Sequence, residues 1–417
     1  MTVAVETTET PMPLSGHYLL VISIPVYCDV DGKRYVDALW HKDLIRHPDY
    51  ISHFTLACPR IDGPLPEGVV LLDDPRIQFI DLPARFKQTL ALPIMVGRLW
   101  QAIGRADVVH TGLGGWMLTS LHNIATFAAK LRGKYLLIIV ESSPWRTDLS
   151  VPARWPERID AALSEWVNRC CINMTDLAVF TQAEYKQSLL TRRPDRGHII
   201  HASWIDDDNI ASEAAVLHSW NEKLAESSGS LNLLFAGRLV AAKGVLDLLD
   251  ALDLAEAHGV PVHLDVLGDG ELADRCRTAA AKPRRSTRLR LLGTTPYGPS
   301  FFKQLHGYHA VVVPSRSDEQ PRIVYDAFSQ GVPVLASNTP GLRDCVPTHA
   351  GRFFPSGDAQ ALFETWRQAA AQRSALKTLG LNGLKVAANM THRHMHLNRW
   401  RLLDGSLRAR GSRQLTG

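Results

Sequence analysis

The chain has 417 residues, 45% hydrophobic and 21% charged, the composition of a globular protein long enough for two domains. A formal net charge of +4 is small for this length and argues against a dedicated nucleic-acid-binding protein. The six cysteines form no Cys-x-x-Cys pair and no zinc-ligand spacing, so we expect free thiols in a cytoplasmic, reducing compartment.

Residues 1–16 contain Glu, Thr and Pro but no basic segment followed by an apolar core. This composition predicts a disordered tail rather than a signal peptide. No apolar run in the sequence reaches the length of a membrane span.

Short apolar runs alternate with helical patterns through the first half of the chain. Predicted strands lie at 18–24, 54–58, 78–81, 106–110, 135–140, 177–181 and 198–201. Predicted helices between them lie at 36–46, 115–131 and 159–173. This alternation is typical of a parallel, doubly wound sheet.

A second alternating set follows the Ser- and Gly-containing segment 227–230, which is the best candidate for a linker. Its predicted strands lie at 232–236, 263–267, 288–292, 310–314 and 333–336, and its predicted helices at 244–258, 272–281, 301–306 and 324–330. Residues 359–407 also have a helical pattern. We therefore predict a first domain at 17–220, a second at 230–385, and a C-terminal helix at 386–417 that returns to the first domain.

A loop with two cations follows the first strand of the second domain. Gly237 permits a tight backbone turn, and Arg238 and Lys243 come directly after it. Arg can bind two phosphate oxygens and Lys supplies a compact charge, which suits the stabilisation of a departing diphosphate. Two surface cations on a helix-entry loop are the alternative interpretation.

Two carboxylates stand eight positions apart, Asp318 in a loop after a predicted strand and Asp326 in the helix that follows. Ligands of open α/β sheets bind at this edge of the sheet. Asp318 could contact a sugar ring and Asp326 the two hydroxyls of a ribose, while the N–H groups of Arg322, Ile323 and Val324 could meet an anion. A loop acid that caps the helix and a solvated acid in its first turn are the alternatives.

These segments together resemble the glycosyltransferases of family 4, which are retaining, nucleotide-sugar-dependent enzymes of the GT-B fold. The family has a Glu, seven residues and a second Glu, followed by Ala and Gly-x-Pro-Val; here Asp318 and Asp326 take the acidic positions. The Gly-Arg-(x)4-Lys loop matches at Gly237, Arg238 and Lys243, and Leu292-Gly293 is similar to the loop beside the base. The resemblance covers approximately residues 232–366.

The resemblance implies two Rossmann-like, doubly wound domains that face each other across a cleft, with C-terminal helices. Arg238 and Lys243 would hold the donor diphosphate, Asp326 the ribose and Asp318 the donor sugar. The N–H groups from Arg322 to Val324 would meet the distal phosphate or the sugar. No metal and no cofactor are implied, because the nucleotide diphosphate sugar is a co-substrate.

The first domain departs further from the family pattern. A His that many members carry after the strand ending near Val140 is replaced here by Glu141 and Ser142. Gly112 and Gly114 lie in a glycine-rich turn after another strand. We expect these four residues on the acceptor side. The segment 87–100 mixes Leu, Ile, Met and Trp with Arg98, so it is either a membrane-contacting helix or a buried amphipathic one.

The leading hypothesis is a retaining hexosyltransferase that uses a nucleotide sugar and a carbohydrate or lipid-linked saccharide acceptor, as in bacterial exopolysaccharide or cell-surface glycan synthesis. We expect it in the cytoplasm, with peripheral contact to the inner face of the membrane and no nucleic-acid partner. The alternative is a non-catalytic relative that binds a nucleotide sugar, which the two Asp residues at Glu positions favour. A dinucleotide oxidoreductase is disfavoured because Gly-x-Gly-x-x-Gly is absent after the first strand.

Overall fold

The computed structural model describes residues 12–84, 91–114, 120–143, 145–146, 155–226, 229–317 and 320–415. These residues divide into two compact units. The first contains the described residues up to Thr181, residues 185–200, and the chain from His396 onward. The second contains Gln182–Glu184 and His201–Met395.

The first unit is built on a ten-stranded sheet. Its strands are β1 (Leu14–Val21), β2 (Val26–Cys28), β3 (Arg34–Asp37), β4 (Ile51–Asp62), β5 (Val69–Leu71), β6 (Ile77–Pro83), β7 (Val108–Thr111), β8 (Tyr135–Val140), β9 (Leu177–Phe180) and β10 (Gly197–Ile199). The parallel part runs β10-β9-β8-β7-β1-β4, with β6 also parallel to β4. Strands β2, β3 and β5 extend it, and β3 is antiparallel to both of its neighbours.

The second unit contains a six-stranded sheet in which every pair is parallel. Its strands are β11 (Leu231–Ala236), β12 (Val262–Leu267), β13 (Arg288–Gly293), β14 (Ala310–Val313), β15 (Val334–Ser337) and β16 (Gly351–Phe354). Their order is β13-β12-β11-β14-β15-β16. The order reverses between β11 and β14, which makes that position the topological switch point of the sheet.

Helices connect the strands and cover the sheets. The helices in the first half of the chain are α1 (Ala38–Leu44), α2 (Ala91–Arg105), α3 (Leu121–Leu131), α4 (Trp155–Asn173) and α5 (Ala183–Leu189). The later helices are α6 (Glu213–Ala225), α7 (Val245–Ala257), α8 (Ala273–Ala280), α9 (Pro299–Leu305), α10 (Ile323–Ser329), α11 (Pro340–Cys345), α12 (Ala359–Ala371), α13 (Arg373–Ala387) and α14 (His392–Leu415). Among the described residues, no helix combines the length and the hydropathy that crossing a membrane requires.

Alternation along the strands of the second unit divides its core between the two faces of the sheet. Leu233 and Phe235 pack on one face with α7 and α12. Leu234 lies in the other cluster with Phe302 of α9 and Phe328 of α10. The central strands β11, β14 and β15 are nearly continuous apolar runs because both faces are covered, and the sequence pattern predicts them correctly. The edge strand β16 was not predicted.

The boundary between the units differs from the predicted one. We expected the first domain to extend to residue 220, but His201 and the residues after it, including α6, belong to the second unit. Two hydrogen bonds fix α6 there: Trp220 Nε1 donates to the carbonyl of Gly331 at 2.9 Å, and Lys223 Nζ donates to the carbonyl of Tyr308 at 3.0 Å.

Two local predictions are also corrected. Leu14–Gly16, expected in the tail, are the first residues of β1, and Leu14 N–H donates to the carbonyl of Tyr50 at 2.9 Å. The helix expected from residue 36 begins only at Ala38. Asp37 ends β3 and caps α1, because its carboxylate accepts from the N–H of Leu39 at 2.9 Å.

Candidate functional site

The crevice at the switch point of the second sheet lies between two loops. Residues 237–244 follow β11, and residues 314–317 follow β14. Both loops leave the carboxyl ends of adjacent parallel strands, where ligands of doubly wound sheets bind. The topology therefore brings the two loops that the sequence singled out to one edge of one sheet.

Backbone contacts fix the loop after β11. Gly237 N–H donates to the carbonyl of Leu267 at 2.9 Å, and Leu239 N–H donates to that of Asp269 at 2.8 Å. Gly268 has a φ of 143°, and a Cβ there would lie 1.9 Å from the carbonyl oxygen of Gly237. Only glycine at position 268 allows the loop after β12 to approach the loop after β11 this closely.

The two loops of the crevice are also bonded to each other. The carbonyl of Ala242 accepts from the N–H of Arg316 at 2.9 Å and from that of Ser317 at 3.3 Å. Lys243 Nζ lies 3.5 Å from Ser317 Oγ. Arg316 itself forms a two-pronged ion pair with the buried Asp247. Arg316, which stands between the two sequence motifs, is thus bound to helix α7, to which Asp247 belongs.

A cavity of about 540 Å³ opens in this crevice. That volume is within the range of small-molecule sites. The residues that line it include Gly237, Arg238, Lys243, Asp269, Thr294, Thr295, Tyr297, Ser315, Gln320, Arg322, Ile323 and Asp326. Six of the residues predicted for donor binding therefore line one cavity.

Arg238 and Lys243 reach this cavity from the same loop. Arg238 is exposed, and within the described part of the chain it has neither an ion pair nor a side-chain hydrogen bond. Lys243 is half-buried, next to the serine pair of the opposite loop. Two positive charges at the edge of an otherwise packed sheet make this side of the cavity suitable for an anion.

Asp326 also lines the cavity and is only 2% exposed. Tyr297 Oη donates to Asp326 Oδ1 at 2.9 Å, and Arg322 Nε lies 3.9 Å from Oδ2. The Arg322 guanidinium also lies over the Tyr297 ring, 4.6 Å from its centroid. Burial, with the adjacent charge of Asp326, raises the pKa of Tyr297, so its hydroxyl stays a hydrogen-bond donor.

The expectation that three backbone N–H groups are free at this helix start is wrong for Val324. Its N–H donates to the carbonyl of Pro321 at 3.3 Å, because a turn that starts at Pro321 leads directly into α10. Val324 is fully buried, whereas Arg322 and Ile323 line the cavity. The side chain of Arg322 is therefore the more relevant group at this end of α10.

One further predicted donor residue that the structure describes, Gly293, does not line the cavity. Asp318 lies outside the described residues, together with Glu319. Gly293 ends β13 with a φ of 69°, and its carbonyl accepts from Gly268 N–H at 2.6 Å. Gly293 supports the loop after β12, while Thr294 and Thr295, directly after it, form the wall of the cavity.

The sequence reasoning missed Tyr297, Thr294, Thr295 and Gln320. Three of these follow β13 in the segment Thr-Thr-Pro-Tyr, which links a strand end to the Pro-initiated α9. Hydroxyl-bearing residues between a parallel strand and a helix are a signal that could have identified this wall. Gln320 is bonded to the backbone of Ala202 in both directions, at 3.1 and 3.3 Å, a contact that no sequence pattern indicates.

The first unit has its own cavity, of about 170 Å³, at the carboxyl ends of β1, β7 and β8. Gly112, Glu141 and Ser142, three of the four residues expected on the acceptor side, line it. Gly114 does not, because its N–H donates to Asn168 Oδ1 at 3.1 Å and it lies in the packed turn. The sequence also missed His122 and Arg399 in this cavity.

Ion pairs and hydrogen bonds join the polar side chains that line this cavity. Arg399 lies 3.5 Å from Asp43 and 3.4 Å from Glu141, and those two carboxylates keep the pKa of Arg399 above its ordinary value although burial lowers it. Loss of hydration lowers the pKa of His122 to about 4, and Thr111 Oγ1 lies 2.9 Å from its Nδ1. The neutral imidazole, together with the carboxylates and hydroxyls in the lining, offers hydrogen-bonding groups to a hydroxyl-rich ligand.

Residues 218–386 match the family described as glycosyl transferases group 1. No curated protein sequence matches the chain significantly. Among solved structures, sucrose-phosphate synthase from Thermosynechococcus elongatus is similar, with 15% identity, a TM-score of 0.66, and coverage of 95% of this chain and 100% of that one.

Two more structures show the same fold. Alr3699/HepE of Anabaena in complex with UDP has 15% identity, a TM-score of 0.63, and coverage of 93% of this chain and 100% of that one. A glycosyltransferase from Rickettsia africae ESF-5 has 14% identity, a TM-score of 0.65, and coverage of 94% and 99%. The chain thus has the two parallel-sheet domains and C-terminal helices of GT-B glycosyltransferases, with the group 1 sequence pattern in its second half.

Proposed function

We propose that the protein is a retaining glycosyltransferase of family 4 that transfers a hexosyl group from a nucleotide diphosphate sugar to a carbohydrate or lipid-linked saccharide. The observation that carries this proposal is the cavity at the switch point of the second sheet, which Arg238, Lys243 and Asp326 line together. Cell-surface or exopolysaccharide glycan synthesis on the cytoplasmic side of a membrane is the proposed setting.

In this proposal the donor lies across the cavity. Its diphosphate meets Arg238 and Lys243, and its ribose hydroxyls donate to Asp326, with Arg322 and Ile323 beside them. Asp318 contacts the sugar. Thr294, Thr295 and Tyr297 are placed to meet the nucleoside, and Gly237 and Gly293 shape the loops around it. UDP is the first nucleotide to test, because Alr3699/HepE was solved with UDP and with UDP-glucose.

The chemistry proposed for this site breaks the bond between the sugar C1 and the diphosphate oxygen. The acceptor hydroxyl oxygen bonds to C1 from the same face, and its proton passes to the departing phosphate oxygen. Negative charge accumulates on the diphosphate as the bond breaks, so fixed cations stabilise the transition state more than the ground state. Arg238 and Lys243 supply that charge. The cavity with Gly112, Glu141 and Ser142 is the proposed acceptor side.

The test is donor turnover by variants of the two cations. Lys243→Ala and Arg238→Ala should each lower kcat for UDP release from UDP-glucose by about 100-fold or more, while the fold stays unchanged. Lys303→Ala and Arg275→Ala, which change exposed cations outside the cavity, are the matched controls. Equal kcat values for UDP release in all four variants would contradict the proposed role of Arg238 and Lys243.

The alternative function, a non-catalytic nucleotide-sugar-binding relative, is favoured by one observation: Asp stands at both acidic motif positions, each one methylene shorter than Glu. Calorimetry and product analysis separate the two functions. A protein that binds a UDP-, GDP- or ADP-sugar but never releases the nucleoside diphosphate with any acceptor is a binding protein. A protein that binds none of these nucleotide sugars has neither of the two functions.

A further inference from the structure

Exposed apolar side chains form a continuous stripe along α4. Trp155, Ile159, Leu163 and Trp166 are spaced by four, four and three residues, which places them on one face of the helix. Trp155 is 75% exposed and Trp166 is 62% exposed. The opposite face buries Val167, Cys171 and Ile172 in the unit. Helix α4 therefore has two apolar faces, of which the domain core uses only one.

The neighbouring helices continue this surface. Helix α3 packs against both α2 and α4. Leu131, at the end of α3, is 79% exposed, and Phe127 one turn earlier is exposed as well. On α2 the exposed apolar residues are Ile94, Val96 and Trp100. We call the exposed sides of α2, α3 and α4 the three-helix face.

The concentration of large apolar residues on this face is higher than scattered surface residues would give. Fifteen large hydrophobic residues are exposed among the described residues, and nine of them lie on these three helices. They include every exposed tryptophan of the described chain. Exposed contiguous apolar surface on a globular domain marks an interaction site.

Basic residues border the apolar surface. Arg158 and Arg169 follow the stripe of α4 at helical spacing along one edge, and both are exposed. Helix α2 carries Arg98 and Arg105 and no acidic residue. At the C-cap of α3, the Arg132 guanidinium lies over the ring of Trp100 at 4.8 Å.

The acidic residues of these helices are fewer. The three helices carry five Lys or Arg residues and three Asp or Glu residues, all three on α4. One of the three, Glu165, is neutralised by Arg146 at 2.9 Å, and one of the five, Lys130, is neutralised by Asp176 at 2.9 Å. Four cations and two acids then remain. The apolar surface is therefore bordered mainly by positive charge.

We propose that the three-helix face docks the first unit on a membrane surface that contains anionic lipid. Tryptophan prefers the interface between headgroups and hydrocarbon, and arginine binds anionic headgroups from the same depth. A protein partner would bury the tryptophans equally well, but it would not explain the basic border. This docking is independent of the donor site, because no residue of the three-helix face lines the cavity with Lys243.

The experiment is co-sedimentation of the full-length protein with vesicles. We expect binding to vesicles of phosphatidylcholine with phosphatidylglycerol, weaker binding to phosphatidylcholine alone, and loss of binding at high salt. Trp155→Ser with Trp166→Ser should lower the partition coefficient by about tenfold, because interfacial binding scales with buried apolar area. Leu246→Ser, which changes an exposed apolar residue of the second unit, is the matched control and should bind like the wild type.

Two further variants complete the test. Arg158→Glu with Arg169→Glu should reduce binding to anionic vesicles and leave the weak binding to neutral vesicles unchanged. Lys243→Ala should bind vesicles like the wild type, so a failure of the donor-site proposal would not affect this one. Circular dichroism and thermal unfolding confirm that the tryptophan variant folds.

Three outcomes would overturn the proposal. One is that the wild type does not sediment with anionic vesicles at low salt. Another is that the double tryptophan variant, correctly folded, binds as strongly as the wild type. The third is a wild-type dimer that the tryptophan variant converts to a monomer without any vesicle binding; the face would then join two copies of this chain.

Discussion

The phenolic hydroxyl of Tyr297 donates to the carboxylate of Asp326 at 2.9 Å, joining the loop after β13 to helix α10 across the cavity. Asp326 is almost completely buried, so Tyr297 compensates a charge that water does not reach. The ring of Tyr297 in turn lies under the guanidinium of Arg322. The wall of the cavity therefore depends on a residue outside both sequence motifs.

Replacement of Tyr297 by Phe should destabilise the protein. The variant removes one hydrogen bond from the buried carboxylate of Asp326, and a hydrogen bond to a charged group contributes about 1.5–3 kcal/mol. The measurement is thermal unfolding of the free protein. Tyr27→Phe is the control, since Tyr27 makes no side-chain hydrogen bond within the described residues. Equal melting temperatures for Tyr297→Phe and the wild type would show that the bond contributes nothing.

Asp326→Asn should reduce the discrimination between ribose and deoxyribose. If Asp326 accepts from the ribose hydroxyls, the wild type should bind UDP at least about tenfold more tightly than 2′-deoxy-UDP. The amide is a weaker acceptor, so the ratio of the two dissociation constants should fall towards one. Calorimetry with both nucleotides gives this ratio directly. An unchanged ratio in Asp326→Asn would remove Asp326 from the ribose.

Gly268→Ala should lower nucleotide affinity by displacing residues 237–244, the loop with Arg238 and Lys243 that we call the cation loop. A Cβ at Gly268 would lie 1.9 Å from the carbonyl oxygen of Gly237, so the loop that carries Arg238 must move. Gly259→Ala is the matched control, because Gly259 also has a positive φ but no atom within 4 Å of the added Cβ. Both variants introduce backbone strain, and only Gly268→Ala should weaken binding of UDP.

His309 should make the protein less stable as the pH falls. Its ring is fully buried and accepts from Asn232 N–H at 3.0 Å, and burial lowers its pKa to about 4. The unfolded chain takes up the proton near pH 6.5, earlier than the folded protein, so stability is lost between pH 6.5 and about pH 4. The slope is about 1.4 kcal/mol per pH unit while only the unfolded chain is protonated.

His309→Asn provides the comparison for that pH dependence, because an amide oxygen can accept from Asn232 N–H without titrating. The melting temperature of the wild type should fall more steeply than that of the variant between pH 6.5 and pH 4.5. Parallel curves would mean that other groups dominate the acid sensitivity of the second unit.

The second unit was more predictable from the sequence than the first. Its central strands are buried on both faces, so apolar runs such as Leu231–Ala236 identify them, and β11 and β14 position the motifs that follow. The short edge strand β16 was not predicted. In the first unit, β2 and β3 have only three and four residues, too short for an apolar period to develop. Strand β2 pairs with β4 and β3 pairs with β5, both distant in the sequence, and the helix pattern that begins at residue 36 concealed β3.

The same distinction applies to the candidate sites. Arg238, Lys243 and Asp326 follow strands at fixed offsets, and their positions were predicted. Tyr297 reaches the cavity through a loop whose path depends on α9. Arg399 enters the cavity of the first unit from the C-terminal helix α14, and its partners Asp43 and Glu141 are distant in sequence. A local sequence pattern does not predict such contacts between residues that are distant in the chain.

Main-chain atoms hold the cation loop in place. Leu267 and Asp269 accept from its N–H groups, and its own Ala242 carbonyl holds Arg316 and Ser317. Side chains at positions 240–242 can therefore be exchanged during evolution or by design without moving the backbone of this loop. The wall formed by Thr294, Thr295 and Tyr297 is built from side chains instead. If the cavity binds a nucleotide sugar as proposed, changes of the preferred nucleotide should be sought in the loop after β13, because the loop with Arg238 and Lys243 would contact the diphosphate that all such donors share.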